Sequence, residues 1–189
     1  TGTNTTPDVL AMVHHLPNVK AVKEASGNLD QMAQVKTRTQ LTLLSGDDSL
    51  TLACAAVGGE GIVSVVGQAA PRQMRTLSDL SRAAKPAEAL AAHHKLMPLF
   101  RAAFLESNPG PIKYLLSEMG LIANELRLPL VAIEPATEKA VLEAARRRRV
   151  QAVLWSVLLA SIVLNPDLAR FTSVGHTPSA VAVCTPHAD

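Results

Sequence analysis

Lys23 is the residue whose placement says most about chemistry. It stands in Val19-Lys20-Ala21-Val22-Lys23-Glu24-Ala25-Ser26-Gly27-Asn28, an apolar run that reads as a strand and gives way to a turn just after the lysine. Strands of parallel sheets are buried on both faces and ligands collect at their carboxyl ends. An ammonium group placed there is partly desolvated, and its charged form is disfavoured. A lysine that is neutral near pH 7 can attack a carbonyl and form a Schiff base. A solvated lysine at a strand end accounts for the same pattern, so the choice rests on the surrounding segments.

Several other segments carry residue types capable of chemistry. In Ser45-Gly46-Asp47-Asp48-Ser49 the glycine would let the backbone approach a ligand, while the acids are accounted for as the start of a helix. Two adjacent carboxylates point in different directions and no histidine lies nearby in sequence, so no metal site is expected. Gly58-Gly59-Glu60-Gly61 precedes a strand, whereas dinucleotide and phosphate loops follow one, so it reads as a tight turn. His14-His15 and His93-His94 are adjacent pairs, and neighbours on a helix diverge by about 100°, which suits solvation better than a shared metal. Lys113 falls in a helical stretch and reads as a surface residue. Cys54 and Cys184 have neither metal-ligand nor disulfide-framework spacing.

The elements that must position these residues follow from punctuation and periodicity. Thr5-Thr6-Pro7-Asp8 predicts a Thr-capped helix with proline in its first turn. Strands are expected at Val19 to Lys23, Leu41 to Ser45 and Gly61 to Val66, alternating with helices at Leu29 to Thr37, Ser49 to Val57 and Pro71 to Ala84. Such alternation argues for right-handed βαβ units and a parallel sheet. Beyond Pro86 the pattern is helical only: Pro86 to Glu106, Pro111 to Gly120 and Pro135 to Arg149. Three units cannot close a barrel, so two open sheet edges are expected; were the sheet part of a barrel, Val22, Leu43 and Val63 would face its interior. Val150 to Leu164 is an apolar stretch shorter than the ~20 residues that cross a bilayer, so membrane insertion is not expected. Asn165 to Asp189 is turn-rich.

Composition bounds the rest. With 189 residues, 48% of them apolar, the chain can bury a substantial core. Its net charge is +2, but Arg146 to Arg149 supply four of the 18 basic residues, leaving 14 against 16 acids. No basic surface for nucleic acid remains outside that run, and 3% aromatic residues leave no stacking platform. The polar opening Thr1-Gly2-Thr3-Asn4 does not read as a signal peptide, and the cysteine usage fits a reducing cytoplasm.

In order and separation, Lys23-Glu24-Ala25-Ser26-Gly27-Asn28, Leu43-Leu44-Ser45-Gly46-Asp47-Asp48, Gly58 to Val65, Asn108-Pro109-Gly110-Pro111-Ile112-Lys113 and Leu126-Arg127-Leu128-Pro129-Leu130 closely resemble the dihydrodipicolinate synthase family. These are pyruvate-dependent Schiff-base enzymes of lysine and diaminopimelate biosynthesis. The resemblance covers roughly residues 1 to 149. It implies an α/β fold, a partial (β/α)₈ TIM barrel corresponding to strands six to eight followed by the C-terminal helical region. Residues 1–84 would be barrel units, 85–149 the helical region and 150–189 an atypical tail outside the family pattern, dispensable for the fold.

The resemblance also implies roles. Lys23 would be catalytic, forming an imine with pyruvate, and the second substrate would be L-aspartate 4-semialdehyde. Ile62 would offer its backbone carbonyl to substrate or to a catalytic hydroxyl, and Gly46 would line the site. No metal or organic cofactor is implied, and the family suggests a cytoplasmic homotetramer. The catalytic tyrosine and carboxylate-binding arginine of the family would lie upstream of Thr1 and are not in this sequence. Val66-Gly67-Gln68 stands where many relatives have a Ser/Ala-Asn pair. Two alternatives stay open: a sialic-acid or keto-sugar-acid aldolase using the same lysine, and a non-catalytic remnant that needs a partner half.

Overall fold

The computed structural model describes residues 3–146 and the strand 181–185. Alternation begins with helix α1 (Pro7–Val13), strand β1 (Val19–Glu24), helix α2 (Leu29–Arg38) and strand β2 (Thr42–Ser45). It continues with helix α3 (Thr51–Ala56), the two-residue strand β3 (Gly61–Ile62) and helix α4 (Pro71–Arg82). Helices α5 (Pro86–Ala102), α6 (Gly110–Glu118) and α7 (Pro135–Arg146) follow, and strand β4 (Val181–Thr185) is added late in the chain. Every expected strand and helix is present, most within a few residues of its predicted bounds.

Proline opens α1, α4 and α5 in the first turn, where its missing N–H leaves no bond unmade. Thr6 occupies the N-cap position of α1, but contrary to expectation its side chain makes no capping bond. Asn28 does cap α2, its Oδ1 accepting the Gln31 N–H at 3.0 Å.

The sheet runs β3-β2-β1-β4 with all neighbours parallel. Val22 and Leu43 pair across β1 and β2 on one face, and they are fully buried against Leu10 of α1, Met32 and Val35 of α2, and Cys54 of α3. They pack under the helices. This overturns the expectation that they face a barrel interior: side chains alternate along a strand, and the opposite face carries Ala21, Lys23, Thr42 and Leu44, all half-buried.

A second core joins Val66, Met74 and Leu77 to Leu99 and Phe100 of α5, Leu115 of α6 and Val141 of α7. It runs across residue 84, so the end of the alternating units does not divide the packing.

Two expectations about the sheet need correcting. β3 stops at Ile62 instead of Val66, because residues 64–66 turn away to bond a carboxylate described below. The β1 edge is also not open, since Val181–Thr185, inside the stretch expected to be dispensable, pairs with β1 from Val19 to Glu24. The apolar stretch at 150–164 lies outside the described residues, among which no helix is long and apolar enough to cross a membrane.

Candidate active site

The sheet register places the three sequence-predicted site residues at one end. Lys23 pairs with Leu44 and Leu44 with Gly61, forming one row across three strands; Glu24, Ser45 and Ile62 form the next. Neighbouring strands lie about 4.8 Å apart, so Lys23, Gly46 and Ile62 share the carboxyl ends of adjacent strands. Lys23 is half-buried on the face away from the α1–α3 helices, whereas Lys20 is exposed.

The turn after β1 is built on Glu24. Its carboxylate is fully buried, accepts from the Ser26 N–H at 2.9 Å and the Ser26 hydroxyl at 2.8 Å, and lies 3.4 Å from the Gln31 amide. Gln31 in turn exchanges hydrogen bonds with Asn4 at 2.9 Å. This network fixes the strand end immediately after Lys23, since a buried carboxylate holds its donors firmly.

Gly46 follows β2 and donates its N–H to the Glu24 carbonyl at 2.6 Å. A Cβ there would stand 2.3 Å from the Ala25 Cβ, so only glycine lets these two turns touch. The absence of a side chain thus serves the approach of two strand ends. Ile62 directs its side chain towards the helical core, and Val63 donates to Ser45 at 2.8 Å. Peptide groups of successive strand residues point to opposite edges, so the Ile62 carbonyl is directed away from β2. Gly58, at φ +95°, makes the tight turn entering β3 as expected.

Asp48 is the residue that sequence reasoning assigned to the wrong job. It does not cap its own helix. One carboxylate oxygen accepts from the Ser64 hydroxyl, and the other accepts the Val65 and Val66 N–H groups, each at 3.1 Å. It therefore clamps the turn after β3 to the turn after β2. Burial raises its pKa above the ordinary 3.8, with the hydrogen bonds from Ser64, Val66 and Val65 acting in the opposite sense. The available signal was the Asp-Asp pair, in which one acid is surplus to a cap. Beside it, a cavity of about 550 Å³ runs between Gly27, Asp47, Asp48, the α5 side chains Phe100 and Arg101, and Phe104 just beyond the end of α5.

The remaining candidates separate from this site. Lys113 donates to the Glu125 carbonyl on the helical side of the molecule. The His14-His15 and His93-His94 pairs hold ring centroids 6.2 Å and 6.1 Å apart, and no cluster of metal ligands occurs among the described residues. Cys54 is buried and its thiol is pushed up to about 11, by burial first and by the nearby Glu24 charge second, so it is no nucleophile at neutral pH.

The model of the dihydrodipicolinate synthetase family matches residues 1–147. The chain belongs to that family. The 4-hydroxy-tetrahydrodipicolinate synthase of Cyanothece sp. is 44% identical over 141 residues, covering 74% of this chain and 48% of the relative. The crystal structure of dihydrodipicolinate synthase from Thermotoga maritima aligns at a TM-score of 0.77 and 34% identity, over 80% of this chain and 53% of that one. The Acinetobacter baumannii dihydrodipicolinate synthase, solved in complex with pyruvate, aligns at 0.76 and 27% identity, over 80% and 53%. The chain thus spans about half the length of the relatives it matches.

Proposed function

We propose that this chain is part of a 4-hydroxy-tetrahydrodipicolinate synthase, with Lys23 as the amine that condenses pyruvate with L-aspartate 4-semialdehyde. The observation that carries the proposal is Lys23 at the carboxyl end of β1, inside a parallel sheet, in a chain of this family. The pyruvate-bound relative supports the choice of keto acid.

The deprotonated Lys23 amine attacks the C2 ketone of pyruvate, and loss of water gives an imine. Once protonated, the imine nitrogen withdraws electrons while the methyl group releases a proton, forming an enamine. The enamine carbon bonds to the aldehyde carbon of the second substrate. Attack by the substrate's own amine then expels Lys23 and closes the heterocycle. The imine is the electron sink, so the chemistry calls on no metal or organic cofactor.

In this reading Gly46 lines the substrate pocket through its backbone, and the Ile62 carbonyl accepts a hydrogen bond from substrate or from a hydroxyl of the proton relay. Strands β1 to β3 correspond to strands six to eight of a barrel and α5 to α7 to its C-terminal helical region. The helical run from Pro86 to Arg146, with no strand among its described residues, supports this assignment. The working enzyme is a cytoplasmic homo-oligomer.

The test is borohydride reduction in the presence of pyruvate, with the remaining strands supplied as a second chain, followed by peptide mass mapping. Lys23 alone should carry the adduct, and Lys23→Arg should abolish it because guanidinium stays protonated. Modification at Lys20 or Lys113 in place of Lys23 would overturn the assignment.

A further inference from the structure

A strand in a closed barrel has two neighbours, and β1 has only β2 from within the family-matched segment, which ends at residue 147. Its other edge is nonetheless occupied. Residues 181–185, beyond the family match, lie parallel to β1 with Val19 opposite Val181, Ala21 opposite Ala182, Val22 opposite Val183, Lys23 opposite Cys184 and Glu24 opposite Thr185. The direction matters. Parallel pairing is what a neighbouring barrel strand would present, and it requires a crossover of about a dozen residues or more, which residues 147–180 supply in number.

The composition of β4 favours an extended strand, since Val181-Ala182-Val183-Cys184-Thr185 is uncharged and has three β-branched members. An unoccupied β1 edge would offer a row of unpaired N–H and C=O groups to any passing strand.

We infer that residues 181–185 are an intramolecular stand-in for the barrel strand that would neighbour β1, so that the rest of a barrel must displace them to pair beside Lys23. The inference rests on the partial-barrel reading but not on the chemistry assigned to Lys23. If β4 holds the edge most of the time, the apparent affinity for a completing strand is reduced by the fraction of molecules in which the edge is open. Removing the segment would raise that fraction and also expose β1 to self-association.

The test uses the full chain carrying Lys23→Cys together with Cys54→Ala, so that within one molecule native Cys184 is the only partner thiol. Cα atoms of paired strands lie within the ~4.4–6.8 Å range that a disulfide spans, so mild oxidation should give an intramolecular cross-link between positions 23 and 184. Cross-links solely between molecules, or none, would overturn the inference. A second measurement needs no substitution. Deleting residues 150–189 should speed hydrogen exchange at the β1 amides directed away from β2 by at least about tenfold and increase the sedimentation coefficient by association. Unchanged exchange in a folded truncated chain would also overturn it. Pyruvate trapping at Lys23 in the unsubstituted chain reads the proposed chemistry separately, so either idea can fail alone.

Discussion

Asp48 joins two loops that the chain separates by some 16 residues. Asp48→Ala would leave the Val65 and Val66 N–H groups without their acceptor, at a cost of about 1–3 kcal/mol, read as a lowered urea midpoint. Its titration gives a signed expectation. Because burial raises the folded pKa, this group's contribution is fully present below 3.8 and is lost as pH rises through the folded value. The stability of the wild type relative to Asp48→Asn should therefore fall as pH rises across that window. Midpoints for both proteins from about pH 3 to pH 7 decide it, and a difference that moves the other way refutes it. Gly46→Ala tests the turn contact beside Lys23: with 2.3 Å to the Ala25 Cβ, one strand end must shift, costing about 1–3 kcal/mol. A Gly46→Ala chain as stable as the wild type would show that the turns can part freely.

At the scale of elements, the two faces of β2 should respond differently to the same truncation. Leu43 is fully buried beneath the helices, so Leu43→Ala should cost about 2–5 kcal/mol, its removed methyl groups leaving a cavity that Met32 and Val35 can only partly fill. Leu44, its neighbour on the Lys23 face, is half-buried, and Leu44→Ala should cost clearly less. Chemical denaturation of the two variants side by side checks the face assignment; equal losses would mean that the Lys23 face is covered as completely as the other.

For the whole molecule the decisive quantity is preorganisation. A Schiff-base lysine needs partners that hold the keto acid and relay protons, and the described sheet sets Lys23, Gly46 and Ile62 at one end but offers only three family strands. The chain alone is therefore expected to give synthase activity near background in a coupled assay, rising when a chain carrying the remaining strands is added. Turnover by the chain alone at ordinary enzyme rates, ~1 to 10³ per second, would show that the site is already complete.

The strand-turn placement of Lys23, the alternation of strands and helices, and the helical run after Pro86 were legible in the sequence because each is a local pattern: an apolar run, a glycine turn, a proline-opened helix. Family membership was legible for the same reason, as ordered local segments. Tertiary structure decided what depends on partners distant in the chain. It set Val22 and Leu43 under the helices because parity along β1 and β2 is fixed by what packs on each face. It gave Asp48 to the turn after β3 because those N–H groups, unseen from residue 48, needed an acceptor. It brought Val181–Thr185 beside Val19–Glu24, since a sheet edge is satisfied by any strand that reaches it and no local pattern names which one will.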